Sequence, residues 1–252
     1  MNKRYIPNAL TLGNLLCGCI ATGAAFHHNF MTALLLIVCG AVFDFFDGFA
    51  ARLLKAPSPM GVELDSLADC VTFGLAPSAM LFTLFTEVRY PLFMYTDFWF
   101  QYLPFAAFLL AAFSAYRLAK FNLDERQHEG FIGLPTPACA LFWASFIAGA
   151  EDYLRSPMMN ALFLLLFVLM FGFLLVSEIP MFSLKFKSFN LQDKENVVRL
   201  GYLACTVVLM IVCGFMAPEG QTWIYLCRGL AAAIGLYVVV NIVRHIPQLF
   251  QK

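Results

Sequence analysis

Charged residues are scarce in this sequence. Asp, Glu, Lys and Arg make up 13% of its 252 residues, against about 25% in an average soluble domain. Hydrophobic residues reach 61%, above the roughly 45–50% that is usual for soluble chains. This balance is not that of a water-soluble domain, and it indicates a membrane protein.

Paired cysteines, low-complexity tracts and repeats are also missing. The eight cysteines lie within or beside apolar runs, and none forms a Cys-x2-Cys pattern. We therefore interpret them as small buried hydrophobic residues in a reducing environment rather than as zinc ligands or a redox pair. The formal net charge is zero, and no nucleic-acid partner is expected.

Long apolar segments are abundant. A helix needs about 20 apolar residues to cross a bilayer, which leaves room for about eight spans. The segments cover residues 8–26, 30–53, 66–86, 98–119, 136–150, 158–180, 200–216 and 222–244. The fifth and the seventh are short for a full span. The sequence predicts an all-α polytopic transmembrane bundle, with a six-helix core in residues 1–182 and a loop with two additional helices in residues 183–252.

The basic residues predict the orientation of the bundle. If the N-terminus is cytoplasmic, the external loops hold only Arg89, Arg155 and Arg228 of the 16 Lys and Arg residues. In membrane proteins, cytoplasmic loops typically carry more Lys and Arg than external loops do. The first apolar run lacks a small-residue cleavage site in good context, so we expect it to remain as a span. We expect an integral protein of the inner or plasma membrane with both termini in the cytoplasm.

Four aspartates interrupt the apolar pattern. Asp44 and Asp47 end one apolar run, and Asp65 and Asp69 open the next. Spacings of three and four residues place each pair on one helix face. Carboxylates at membrane depth are costly, so they usually face a polar cavity and pair with cations. The pattern predicts a metal-binding active site that opens to the cytoplasm.

The residues around these aspartates suit a phosphate ligand. Gly48 and Ala51 carry little or no side chain, so a bulky phosphate can approach the backbone beside the aspartates. Arg52 follows one turn later and can neutralise phosphate charge. Residues 56–61 have the composition of a turn that ends one helix and redirects the chain.

The whole pattern, D-x2-D-G-x2-A-R-x8-G-x3-D-x3-D over residues 44–69, resembles the CDP-alcohol phosphotransferase family. The resemblance implies transfer of a phosphatidyl group from a CDP-linked lipid to an alcohol, with release of CMP. It implies two divalent cations, Mg²⁺ or Mn²⁺, one held by Asp44, Asp47 and Asp65 and the other by Asp44, Asp65 and Asp69. Asp69 is then also the expected general base for the alcohol.

The resemblance also implies a binding site for the CDP-lipid. Residues 7–14, which read Pro-Asn-x-Leu-Thr-x-x-Asn, resemble the opening motif of the family, where the first helix borders the nucleotide pocket. Considered without the resemblance, Asn and Thr near the start of a helix more often serve as caps. The expected contacts of CDP-diacylglycerol are Asn8, Thr11, Gly48, Ala51, Arg52, Gly61 and Ser66.

Further stretches resemble the integral-membrane phosphatidylserine synthases within that family. They are residues 63–69, 73–77, 117–122 and 133–138, although Lys120 stands where those synthases usually have Arg. This resemblance implies CDP-diacylglycerol and L-serine as substrates, the lipid bilayer as surroundings and a homodimer. Serine carries a carboxylate, which suits basic and amide groups. The expected serine contacts are Arg117, Lys120, Asn122 and Arg126.

Other interpretations remain open. The cations of residues 117–126 could instead mark the cytoplasmic interface and contact lipid headgroups. Within the family, glycerol-3-phosphate or an inositol phosphate could be the acceptor, although an extra phosphate should call for a denser basic pocket. A transporter could also bury acidic residues, but it would need broken helices at midplane and related halves. An intramembrane prenyltransferase would have more widely separated Asp-rich motifs.

Overall fold

The fold is helical nearly throughout. A computed structural model describes residues 5–56, 58–124, 131–156, 159–182 and 194–249. Its α-helices are α1 (Tyr5–Phe26), α2 (Phe30–Leu53), α3 (Pro59–Asp69), α4 (Ala76–Phe85), α5 (Asp97–Tyr102), α6 (Leu109–Leu123), α7 (Thr136–Leu154), α8 (Ala161–Val176), α9 (Lys194–Met216) and α10 (Thr222–Leu249). A π-helical turn (Cys70–Leu75), two 3₁₀ segments (Leu92–Met94 and Leu103–Phe108) and strands β1 (Phe131–Ile132) and β2 (Pro180–Met181) complete the chain.

Within the part of the chain that the structure describes, six helical stretches are long and apolar enough to cross a membrane. They are Tyr5–Phe26, Phe30–Leu53, Pro59–Phe85, Asp97–Leu123, Asn196–Met216 and Thr222–His245. The predicted all-α polytopic membrane bundle is thereby confirmed. The third helical stretch begins at Pro59, seven residues before the predicted boundary, and the seventh predicted segment lies in a full-length helix. The fifth and the sixth predicted segments are not among these six stretches: they correspond to α7, with 19 residues, and to α8, with 16.

Local sequence explains where the helices near the aspartates begin. Ser58 caps α3, because its Oγ accepts the backbone N–H of Gly61 at 3.1 Å, and Pro59 occupies the first turn, where its missing N–H has no cost. Lys55 adopts a positive φ of 50° at the end of α2. The predicted turn between the two aspartate pairs is therefore present, and it folds α3 back toward α2.

The centre of the bundle is formed by the third span and α7. All residues of α4 except Phe82 are buried, and α7 places the fully buried Trp143 between Phe167 and Phe171 of α8. Helix α1 packs along α2 and against α3 and α4, while α10 packs against α7 and α9. The first two spans are therefore held against the central helices, and the last two attach through α7.

The two ends of the bundle are held by different contacts. At one end, β1 pairs with β2 in antiparallel fashion and thereby joins the start of α7 to the segment after α8. We call this end, which also carries the start of α1 and the end of α2, the aspartate end. At the opposite end, Glu87 accepts from Nε of Arg155 at 2.7 Å, and its other carboxylate oxygen lies 2.6 Å from Nδ1 of His28. These contacts join three interhelical connections away from the aspartates.

Candidate active site

Three aspartates converge at the aspartate end. One carboxylate oxygen from each of Asp44, Asp47 and Asp65 lies within 4.8 Å of the other two. Asp44 and Asp47 share a face of α2, and Asp65 faces them from α3 across the Ser58 turn. Asp47 is buried, and the other two are partly buried. The structure therefore brings three of the four predicted aspartates together from the two helix faces.

The chemistry of this cluster fits a divalent cation. All the donors are carboxylate oxygens, which are the ligands that hard ions such as Mg²⁺ and Mn²⁺ take in proteins. The Oδ1 atom of Asp65 is buried and has no hydrogen-bond partner among the described residues. Buried polar atoms are normally satisfied, and a cation coordinated by Asp65 would satisfy this one. Asp44, Asp47 and Asp65 are accordingly the residues that could hold it.

Asp69 has different surroundings from the three converging aspartates. It lies one turn after Asp65 at the end of α3, with 8% of its surface exposed. Its Oδ1 accepts a hydrogen bond from Nδ2 of Asn14 at 3.1 Å. The π-helical turn begins immediately after it. One oxygen of Asp69 is thus fixed by a neutral donor.

Helix α1 forms hydrogen bonds with two of the aspartates, Asp47 and Asp69. The hydroxyl of Thr11 lies 2.6 Å from Oδ2 of Asp47 and 3.1 Å from the carbonyl of Pro7. One turn later, Asn14 is fully buried, and its backbone carbonyl accepts the hydroxyl of Thr72 at 2.9 Å. Thr11 is predicted to contact the CDP-lipid, whereas the sequence predicts no separate role for Asn14. The only sequence signal for Asn14 is its position about one turn after Thr11 in the opening motif.

An open surface lies beside the cluster. A Cβ added to Gly48 would meet nothing within 4 Å, and Arg52 is exposed one turn later on the same helix. At the start of α3, a Cβ on Gly61 would lie 3.5 Å from Oδ1 of Asn8. The structure therefore brings Asn8 and Gly61 together and leaves space over Gly48. Both features suit a phosphate-bearing ligand next to the aspartates.

The predicted acceptor residues lie at the end of α6. Nδ2 of Asn122 donates to Oγ of Ser66 at 2.8 Å, which links this helix to the stretch between Asp65 and Asp69. Arg117 is buried, donates to Oγ1 of Thr136 at 3.2 Å and lies over the ring of Phe121. Arg126 lies outside the described residues. Ser66, which is also predicted to contact the CDP-lipid, accepts this hydrogen bond from the end of α6.

One further polar residue, Glu178, contacts the predicted acceptor residues. Glu178 follows α8, and its Oε1 lies 3.3 Å from Nζ of Lys120. The two residues are 58 positions apart, so no local pattern could have paired them. The aspartate end therefore carries an anion beside the cations at the end of α6.

Comparison with known proteins identifies the family. Residues 4–173 match the family model described as CDP-alcohol phosphatidyltransferase. The chain therefore belongs to the CDP-alcohol phosphatidyltransferase family and is an integral-membrane transferase.

Relatives within this family share one name. A Bacillus subtilis (strain 168) protein is 37% identical over 197 residues, which is 77% of this chain and 96% of the relative. A Helicobacter pylori (strain J99) protein is 30% identical over 98% of this chain and 93% of its own length. A Mycobacterium tuberculosis (strain H37Rv) protein is 30% identical over 90% and 78%. All three are named CDP-diacylglycerol–serine O-phosphatidyltransferase.

Proposed function

We propose that this protein transfers the phosphatidyl group of CDP-diacylglycerol to the hydroxyl of L-serine, giving phosphatidylserine and CMP. The convergence of Asp44, Asp47 and Asp65 within 4.8 Å carries the proposal. Clustered carboxylates can bind divalent cations, and transfer of a phosphatidyl group from a pyrophosphate to an alcohol needs the positive charge of such cations. The names of the relatives support serine as the acceptor.

Two divalent cations, Mg²⁺ or Mn²⁺, are the proposed cofactors. Asp44, Asp47 and Asp65 would hold one, and Asp44, Asp65 and Asp69 the other. When bound, the pair would neutralise the pyrophosphate of the donor and stabilise the leaving phosphate. The unsatisfied Oδ1 of Asp65 and its place between the other carboxylates support a shared ligand role.

Asp69 is the proposed general base. The hydroxyl oxygen of serine attacks the phosphorus of the phosphatidyl group, and the bond from that phosphorus to the bridging oxygen breaks as CMP leaves. The serine proton passes to the carboxylate of Asp69, since a neutral hydroxyl is a poor nucleophile at pH 7. The hydrogen bond from Asn14 to Oδ1 of Asp69 supports this role, because it restrains the orientation of the carboxylate.

The donor lipid is proposed to lie over the open surface of α2 and the start of α3. Gly48 and Ala51 leave room for the pyrophosphate, and Arg52 is exposed beside them to neutralise its charge. Asn8 and Gly61, which lie next to each other, border the nucleotide. The acyl chains of CDP-diacylglycerol would then extend along apolar helix faces into the bilayer.

The acceptor is proposed to enter from the end of α6. The side chains of Arg117, Lys120 and Asn122 supply cations and an amide there, and Arg126 follows them in sequence. The hydrogen bond from Asn122 to Ser66 supports this placement, because Ser66 lies between two of the aspartates. Glycerol-3-phosphate or an inositol phosphate is the competing acceptor class.

The setting of the site is also a proposal. We infer that the aspartate end and both termini face the cytoplasm, and that the protein works as a homodimer. Residues 1–182 would form the catalytic core, to which residues 183–252 add a loop and two helices. The family match over residues 4–173 supports that boundary.

The proposed function is tested with purified protein, CDP-diacylglycerol, Mg²⁺ or Mn²⁺ and a panel of alcohols, with CMP release and the lipid product as readouts. L-Serine should give phosphatidylserine, and glycerol-3-phosphate and inositol phosphate should react far more slowly. Efficient use of glycerol-3-phosphate would contradict the acceptor assignment and leave the phosphatidyl transfer intact.

A further inference from the structure

The end of strand β2 is bound by two buried polar side chains of α10. Oδ1 of Asn241 accepts the backbone N–H of Phe182, and the hydroxyl of Tyr237 donates to the carbonyl of the same residue, each at 2.9 Å. Tyr237 and Asn241 are four residues apart, so they share one face of the helix. Nδ2 of Asn241 also donates to the carbonyl of Tyr237 at 2.8 Å. Helix α10 therefore bonds both backbone groups of Phe182.

The ring of Phe182 adds a contact with both of the last two helices. Its centroid lies 5.0 Å from that of Tyr237 and 5.8 Å from that of Tyr202 in α9. Both are edge-to-face arrangements, which aromatic pairs prefer. The hydroxyl of Tyr202 in turn donates to the carbonyl of Ala233 in α10 at 3.2 Å. Helices α9 and α10 thus hold the end of β2 through its backbone and its side chain.

The β1–β2 ribbon connects this anchor to the start of α7. Strand β2 pairs with β1. Beyond the paired residues, the N–H of Gly133 donates to the carbonyl of Ile179 at 2.9 Å. The N–H of Leu134 donates to the carbonyl of Leu174 at the same distance. The position of residues 131–134 therefore depends on the segment that α10 holds.

The start of α7 contacts one of the predicted serine-binding residues. Thr136 is the first residue of α7 and is fully buried. Its Oγ1 accepts a hydrogen bond from Nη1 of Arg117 at 3.2 Å, and only 6% of Arg117 is exposed. Because Thr136 follows Leu134 by two residues, the backbone bonds of the ribbon restrict where Thr136 can lie. A shift of Thr136 would change the orientation of the buried guanidinium of Arg117.

We propose that Tyr237 and Asn241 are positioning residues for the acceptor. By holding Phe182 they fix the ribbon and the start of α7, and through Thr136 they orient Arg117. The inference rests on the proposed function, in which Arg117 contacts serine. It makes the last two helices a support for the acceptor side of the site.

The test measures kcat and the KM values for serine and CDP-diacylglycerol in Tyr237→Phe and Asn241→Leu. Tyr237→Phe removes only the hydroxyl that bonds Phe182 and keeps the ring. Each variant should raise the KM for serine about ten-fold, the value of one hydrogen bond. The kcat at saturating serine and the KM for CDP-diacylglycerol should stay unchanged, because the aspartates lie outside this series of contacts. Partial unfolding would instead lower kcat.

Thr136→Val tests the route from α10 to Arg117. It removes the oxygen that accepts from Arg117, so it should raise the KM for serine by itself. In protein that already carries Thr136→Val, Tyr237→Phe should raise this KM little further, because the ribbon no longer acts on Arg117. Independent, additive effects of the two substitutions would contradict the route.

Arg228→Met is the matched control. Nε of Arg228 donates to the carbonyl of Gly149 at 2.6 Å, so this side chain also bonds α10 to α7, but near the start of α10 and away from the ribbon. Its loss should lower Tm in detergent and leave the KM for serine unchanged. If Tyr237→Phe and Asn241→Leu behave in the same way, or raise both KM values equally, the positioning role is wrong. A wild-type protein that releases no CMP with serine would instead overturn the proposed function itself.

Discussion

Asp65 and Asp69 show how two residues of one type, one turn apart, acquire different chemistry. Asp65 faces two other carboxylates and has a buried oxygen with no hydrogen-bond partner among the described residues. Asp69 receives a neutral amide hydrogen bond from Asn14. The first environment calls for a cation, and the second holds a carboxylate in one orientation. These contacts support a ligand role for Asp65 and a base role for Asp69.

Substitution of Asp69 should affect turnover more than binding. Asp69→Asn should lower kcat about 10²- to 10⁴-fold, the usual contribution of a general base. It should largely spare the KM for CDP-diacylglycerol, because Asp44, Asp47 and Asp65 remain. Steady-state kinetics with each substrate titrated separately measures this. A variant with nearly wild-type kcat would exclude Asp69 as the base.

Substitution of Asn14 should produce a milder version of the same effect. Asn14→Leu keeps the approximate volume but removes the donor to Asp69, so kcat should fall by about ten-fold, the value of one hydrogen bond. Both KM values should stay within a few-fold of wild type. In protein that already carries Asp69→Asn, Asn14→Leu should lower kcat little further, because Asn14 acts through Asp69. Full additivity would show that Asn14 acts elsewhere.

At the scale of elements, the position of Asp69 depends on close packing between α1 and the π-helical turn. A Cβ on Gly18 would lie 2.7 Å from Cα and 2.8 Å from the backbone N of Thr72. Backbone cannot move aside as a flexible side chain can, so α1 would have to shift. Because α1 also carries Thr11 and Asn14, such a shift would disturb the hydrogen bonds to Asp47 and Asp69.

Gly18→Ala should therefore lower both stability and activity. Overpacking of this kind costs about 1–3 kcal/mol, which should appear as a lower Tm in detergent together with reduced kcat. Gly23→Ala is the matched control, because a Cβ there would meet nothing within 4 Å and Ala favours the helix. Equal Tm values for the two variants would contradict the packing argument.

The elements also show what the sequence could and could not predict. Hydropathy located the helical stretches, and the 44–69 pattern located the aspartates, because both signals are local. The link from Asn14 to Asp69 and the pair of Lys120 and Glu178 join distant parts of the chain, so no spacing rule reveals them. The π-helical turn likewise depends on packing against α1 and α6 rather than on a sequence signal.

At the scale of the whole molecule, the polar groups are divided between two ends. The aspartates, the end of α6 and the β1–β2 ribbon lie at one end, while Glu87 contacts His28 and Arg155 at the other. Of the basic residues that the structure describes, Arg52, Lys55, Arg117 and Lys120 lie at the aspartate end, and Arg89 and Arg155 lie at the opposite end. This distribution predicts that the aspartate end faces the cytoplasm.

The orientation can be measured by labelling engineered cysteines with a membrane-impermeant reagent in intact cells. Sites near His28, Asp97 and Asp152 should react from outside, and sites near Pro57, Gln127 and Lys187 should react only after permeabilisation. Reaction at Pro57 in intact cells would invert the topology and place the aspartates on the external side.

The most direct test of a metal-dependent phosphatidyl transfer is serine-dependent CMP release before and after removal of divalent cations. Purified protein treated with EDTA should lose turnover, and Mg²⁺ or Mn²⁺ should restore it. In Asp65→Asn, which removes the charge of the proposed shared ligand, activity should stay absent at every cation concentration while the protein remains inserted and folded. Full serine-dependent CMP release by the metal-free protein would contradict the account.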